Sequence, residues 1–270
     1  MKEVKQRNVP EMDSPEYLAK KKHFERMITV YGKNAVSDLL HVHREWTIER
    51  ILVDRDNRSE AIRKIVQTAQ KRNIQVKEMT REQLTRISRN KDEDQGIVAD
   101  VVGNIETDWN SWLQSATSTG RLIALDGVTN PVNVGMIIRS AAAAGVDGIL
   151  IPDKGVPAMN QPLLIKASAG TVFGMKLYRC PELAGALELA KSSGFQIIGL
   201  SGDQNALNLL DHKPGKKAIY VLGNESVGLA EEVQQLCNSF CRIPMAKMVE
   251  SLNVAAAATL LSYAIGTIRE

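Results

Sequence analysis

Cysteine is scarce. Cys180, Cys237 and Cys241 are three residues in a chain of 270, too few for a disulfide framework. Cys237 and Cys241 stand four apart, but no nearby histidine or second cysteine pair completes a zinc site. They read as reduced thiols, and no metal is expected. Long apolar runs are missing too, so nothing approaches the roughly 18 residues of a membrane span. The opening stretch MKEVKQRNVPEMDSPEYLAKKKHFERM has no apolar segment of the secretory type. A cytoplasmic protein without a membrane partner is expected. The nucleotide and hydrolase fingerprints are also lacking. GxGxxG is not present at any strand end, which removes support for NAD or FAD, and neither GxxxxGK[ST] nor GxSxG occurs.

What is present suits one or two globular domains. Hydrophobic residues make up 44% of the chain, ordinary for a protein with a sizeable core. The net charge of +3 is unevenly placed. Residues 1–104 hold 21 Lys/Arg against 17 Asp/Glu, a net of +4, and residues 105–270 hold 13 against 14, a net of −1. Clusters such as Lys20-Lys21-Lys22, Arg63-Lys64, Lys71-Arg72 and Arg81/Arg86/Arg89/Lys91 could contact phosphates. They equally suit solvated helix faces, and charge alone leaves both readings open.

Residues 1–28 read as a polar extension. A small α/β unit follows over 29–104, its pattern starting at Tyr31. Strands are expected at 50–54, 74–79 and 96–102, and a Ser59-capped helix at 59–73. Residues 105–118 read as a linker, with Trp109 and Trp112 three apart on one helix face, suited to docking it or to stacking on bases. From 119 to 270, strands and helices alternate: strands at RLIALDG, DGILIP, GMKLYR, QIIGLSG, KAIYVLGNE and FCRIPM, helices at 133–145, 158–170, 181–193, 227–236 and 251–268. Such alternation predicts a parallel sheet with helices on both faces. Ligands in these sheets bind beyond the carboxyl ends of the strands, here after Leu125, Leu200, Leu222 and Ile243. Glycines Gly202, Gly223 and Gly228 let backbone approach a ligand there, and Asn224, Glu225, Ser251 and Asn253 offer polar side chains. The four histidines, His23, His41, His43 and His212, lie elsewhere. One charge is conspicuous. Arg139 sits inside NPVNVGMIIRSAAAAG, among residues that otherwise read as a buried helix.

Three loops carry a resemblance. NPVNVGMIIRSAAAAG, VLGNESVGL and IPMAKMVESLNVAAA resemble, in order, the three signature motifs of the SpoU (TrmH-like) family of RNA ribose 2′-O-methyltransferases of the SPOUT class. YGKNAV and DQGIVADV, within 31–101, resemble the ends of the small substrate-binding domain of its ribosomal RNA members. Ser226 departs from the glycine the family often has after the glutamate. The resemblance covers all but about the first 28 residues. It implies an α/β fold whose C-terminal domain has a deep trefoil knot, a rare exception to the rules of chain connection, preceded by an L30e-like domain. It also implies a homodimer through the C-terminal domain.

The implied reaction methylates a ribose 2′-hydroxyl with S-adenosyl-L-methionine, most naturally in 23S ribosomal RNA. A tRNA 2′-O-methyltransferase, or a non-catalytic RNA-binding or assembly protein on the same scaffold, are the alternatives. By resemblance the cofactor lies against Leu200, Ser201, Gly202, Leu222, Gly223, Asn224, Gly228, Ile243, Pro244, Met245, Ser251 and Leu252. The implied catalytic set is Asn133, Arg139, Glu225, Ser251 and Asn253. Arg139 would act as base or as phosphate clamp. A guanidinium with a pKa above about 12 is a poor base, which favours the clamp. Asn133 is expected to position Arg139 or to cap its helix, Glu225 to fix loops or the ribose, Ser251 to cap the last helix, and Asn253 to bond the active-site loops.

Overall fold

The computed structural model describes residues 27–43, 46–88, 91, 94–115, 120–203, 205–246, 249 and 251–267. The extension up to residue 26, with its lysine cluster, and Arg89 lie outside them.

Runs of β-branched residues and leucine become the strands. The first unit comprises β1 (Met27–Tyr31), α1 (Lys33–His41), β2 (Thr47–Asp54), α2 (Glu60–Lys71), β3 (Gln75–Met79), α3 (Arg81–Ser88) and β4 (Ile97–Val102). Its four strands form a mixed sheet in the order β1-β4-β2-β3, with β4 antiparallel to both neighbours and β3 parallel to β2. Ser59 stands at the start of α2, but its side chain makes no capping hydrogen bond.

The second unit comprises β5 (Glu106–Asp108), α4 (Trp109–Ser115), β6 (Gly120–Leu125), α5 (Pro131–Ala144), β7 (Gly148–Pro152), α6 (Pro162–Ala167), β8 (Leu177–Cys180), α7 (Leu183–Ser192), β9 (Gln196–Leu200), β10 (Leu207–Asn208), β11 (Lys217–Leu222), α8 (Glu231–Leu236), β12 (Ser239–Arg242) and α9 (Val254–Ile265). Its eight strands are all parallel, in the order β10-β12-β9-β11-β6-β7-β8-β5. From β6 the chain moves outward through β7 to β8, then crosses to β9 on the other side of the β6–β11 pair. The strand order therefore reverses at β6 and β11, the place where open parallel sheets hold ligands.

Several boundaries differ from the sequence reading. The stretch expected as linker supplies β5, an edge strand on β8, and α4. Trp109 is 1% exposed and stacks on Trp112 with ring centres 5.1 Å apart, so the pair anchors this segment to the large sheet. The helix expected over 158–170 is only α6, and the last helix starts at Val254 rather than at residue 251. The two units share one apolar core, which runs from Val30, Leu39 and Ile51 to Ile137, Ile149 and Leu261. At their junction Trp46 donates from Nε1 to the Phe173 carbonyl (3.1 Å) and meets its ring edge to face.

Two helices carry the site. Asn130 caps α5 by accepting from the N–H groups of Val132 and Asn133, with Pro131 in the first turn, where its fixed φ suits a helix start. α9 packs on α5, and the Ser140 and Thr259 hydroxyls meet across the seam at 2.7 Å. At the far end Arg121, from β6, donates to the carbonyls of Ile265 (2.9 Å), Gly215 (3.0 Å) and Pro214 (3.4 Å), which ties the end of α9 to the strand beneath it.

Candidate functional site

The loops after β9, β11 and β12 and the start of α9 converge on one open cleft of about 190 Å³. It is lined by Leu200, Ser201, Gly202, Leu222, Gly223, Asn224, Glu225, Gly228, Ile243, Met245, Ser251, Leu252, Val254 and Ala257. Of the expected cofactor residues, Pro244 alone does not line it. Val254 and Ala257 were missed, although three-residue spacing from the start of a helix puts both on one face.

The loop after β11 is built from its own backbone. Asn224 and Gly228 exchange N–H···O bonds at 2.9 Å in both directions. A Cβ on Gly223 would lie 2.5 Å from the Gly228 carbonyl carbon and 2.7 Å from the Leu229 nitrogen, so only glycine lets the loop fold back this tightly. The loop is also stitched to β6. Asn224 donates from Nδ2 to the Gly127 carbonyl (2.8 Å), and Asp126 accepts from the Ala230 N–H (2.7 Å). Asp126 was not anticipated; the signal for it was an acidic residue directly after a strand.

On the rim three side chains meet. Glu225 Oε1 accepts from Asn133 Nδ2 (2.7 Å), Asn253 Nδ2 (3.0 Å) and the Val254 N–H (3.3 Å). Asn253 Nδ2 also lies 3.3 Å from Asn133 Oδ1. Asn133 is 8% exposed, so its amide needs these partners. Asn253 also caps α9, its Oδ1 accepting from the N–H groups of Ala255 and Ala256. Two loops and two helices are thus pinned at one carboxylate oxygen.

Two expectations need correction. Asn133 neither caps α5, which Asn130 does, nor holds Arg139. Ser251 is not the cap of α9, since Asn253 occupies that place; Ser251 is exposed on the cleft wall. Arg139 does not reach the cluster. It is exposed, does not line the cleft, and makes no hydrogen bond or ion pair with any described residue. Six residues beyond Asn133, it lies about 9 Å further along α5 and on a different face.

None of the three cysteines lines the cleft. Burial pushes the Cys180 thiol up to about 12 and raises Cys237 and Cys241, so all three are held as thiols. Among the described residues no group of three His, Cys, Asp or Glu could hold a metal ion, and no helix is long and apolar enough to cross a membrane.

Two family models match the chain. The SpoU rRNA Methylase family model matches residues 120–263, just over half of the chain. A model for RNA 2′-O ribose methyltransferase substrate binding matches residues 29–104. A protein of Staphylococcus haemolyticus named as a TrmH family tRNA/rRNA methyltransferase is 29% identical over 241 residues, covering 88% of this chain and 94% of the relative. The SpoU methyltransferase AviRb of Streptomyces viridochromogenes, solved with AdoMet, shares the fold with a TM-score of 0.72 at 24% identity, covering 90% and 91% of the two chains. An rRNA methyltransferase of Sinorhizobium meliloti, also AdoMet-bound, gives a TM-score of 0.72 at 22% identity and coverages of 91% and 89%.

Proposed function

This chain belongs to the SpoU rRNA methylase family, and from that premise we propose that it transfers a methyl group from S-adenosyl-L-methionine to a ribose 2′-hydroxyl of ribosomal RNA. The observation that carries this reading is the Asn133–Glu225–Asn253 cluster on the rim of a glycine-walled cleft at the strand-order reversal. The cleft suits the cofactor. The wall at Gly223 and Gly228 carries no side chain, so a ligand can lie close to the backbone, and Leu200, Leu222, Ile243 and Leu252 supply apolar surface for a flat base. When bound there, the cofactor supplies an activated methyl on a sulfonium leaving group, so the protein has to bind, orient and handle one proton. Leu200–Gly202, Leu222–Asn224, Gly228, Ile243, Met245, Ser251 and Leu252 would hold it.

Arg139, exposed and with no ion pair or hydrogen bond to any described residue, serves as a clamp for an RNA phosphate, for which a planar guanidinium fork is well suited. Residues 29–104, with their share of the positive charge, recruit the RNA. Met136 on α5 and Leu260 and Tyr263 on α9 are exposed apolar side chains on two packed helices, which supports a homodimer through this surface. The trefoil knot of the family belongs to the same reading.

The test is calorimetry of the full chain with S-adenosylmethionine, followed by mapping of 2′-O-methyl sites in RNA from cells with and without the gene. Binding together with one ribosomal site lost with the gene is the expected outcome. A site lost from tRNA would redirect the substrate, and no binding would leave a non-catalytic scaffold. Light scattering should give a dimer mass at micromolar concentration, as an obligate interface above about 2,000 Å² requires.

A further inference from the structure

We infer that Glu225 is the group that takes the proton from the ribose hydroxyl, through its second carboxylate oxygen. The inference rests on the reaction proposed above. Removing that proton needs a base beside the cleft, and among the described lining residues Glu225 is the one ionisable side chain. The other rim groups cannot serve. Asn133 and Asn253 are amides, Ser251 is a neutral hydroxyl, and Arg139 is a cation outside the cleft.

The hydrogen bonding divides the carboxylate into two halves. Oε1 is saturated by Asn133 Nδ2, Asn253 Nδ2 and the Val254 N–H. Oε2 has no partner among the described residues, and the side chain is exposed to an incoming ribose. A carboxylate held rigidly by one oxygen and open at the other is oriented as a general base should be. A carboxylate serving only as a brace would need neither the open oxygen nor the exposure. The step balances. The 2′ oxygen forms its bond to the methyl carbon, and the carbon–sulfur bond breaks with its electron pair left on sulfur. The hydroxyl proton passes to Glu225 Oε2, and the resulting neutral carboxyl returns it to water.

Glu225→Gln separates base from brace. The amide oxygen can still accept from the three donors, but the side chain can no longer take a proton. In the full chain, Glu225→Gln is expected to melt within about 2 °C of wild type and to bind S-adenosylmethionine within about threefold by calorimetry, a perturbation below 1 kcal/mol. Glu225→Ala should lose stability by melting. Single-turnover methylation of ribosomal RNA from cells lacking the gene should fall at least about a hundredfold in Glu225→Gln, the usual contribution of a general base. Methylation by Glu225→Gln within about threefold of wild type would overturn the inference and leave Glu225 as a brace. If Glu225→Gln does not fold, the wild-type pH–rate profile decides: an acidic limb of unit slope in the ordinary carboxylate range supports the base, and a profile that stays flat through and below that range in folded protein overturns it. Wild-type protein that fails to bind the cofactor or to methylate this RNA would instead refute the function on which the inference rests.

Discussion

Asn253 does two things that substitution can separate. Its Oδ1 caps α9, and its Nδ2 ties α9 to Glu225 and Asn133. Asn253→Ala removes both. Loss of the cap costs about 1 kcal/mol, and loss of the amide donor to a half-buried cluster costs about 1 kcal/mol more. In a domain of this size each kcal/mol lowers Tm by about 2–4 °C, so a fall of about 4–8 °C is expected. Asn253→Ser keeps a good cap and loses the donor, so about half of that fall should remain. Asn253→Asp also keeps the cap, but it places a carboxylate where the amide nitrogen stood, 3.0 Å from Glu225 Oε1. The like charges disfavour double ionisation, so in the folded state the pair's pKa is raised above the unfolded value of about 4. The folded protein then holds a proton that the unfolded chain has released. Stability relative to wild type is therefore lowest at neutral pH and recovers as pH falls through the raised pKa. Melting curves by circular dichroism between about pH 5 and 8 read this directly. An Asn253→Ala protein that melts within about 1 °C of wild type, or an Asn253→Asp deficit that does not shrink on acidification, would refute the reasoning.

Gly223→Val should leave the protein folded but lower S-adenosylmethionine affinity at least about tenfold by calorimetry. A Cβ there meets Gly228 backbone at 2.5 Å, and overpacking of this kind costs about 1–3 kcal/mol. Arg139→Ala and Arg139→Lys should melt like wild type, because the side chain has no described partner, yet methylate at least about a hundredfold more slowly; normal turnover in folded Arg139→Ala would end its assignment as a clamp. Gly266→Ala should cost about 1–3 kcal/mol of stability in a denaturant titration, because its Cβ would lie 1.9 Å from the Ala144 carbonyl oxygen. Cofactor affinity in that variant should not change, since the clash lies at the opposite end of α9 from the cleft.

The central strands were legible because RLIAL, ILIP, IIGL and AIYVL are short apolar runs between turn signals, as strands buried on both faces should be. β5 was not. Glu106-Thr107-Asp108 is polar and three residues long, and it is a strand only because β8 offers it an edge, which no local pattern announces. The start of α5 was misplaced at residue 133 although Asn130-Pro131 carries both the cap and the first-turn proline. For α9, Ser251 and Asn253 are both good caps two residues apart, and only the fold chooses Asn253. The family resemblance puts Asn133, Glu225 and Asn253 into one list, but their mutual bonds depend on packing between α5 and α9. The separation of Arg139 from them was readable in principle, because six residues turn an α-helix by about 240° beyond a full rotation.

The most direct measurement uses purified full-length protein, S-adenosylmethionine labelled in its methyl group, and ribosomal RNA from cells lacking the gene. After labelling, the RNA is digested with alkali. Alkaline cleavage of RNA needs a free 2′-hydroxyl, so a methylated ribose protects the phosphodiester beside it. The account predicts that the label emerges in an alkali-resistant dinucleotide from a single ribosomal position. Label recovered in mononucleotides, which would place the methyl group on a base, or no label in ribosomal RNA at all, would contradict it.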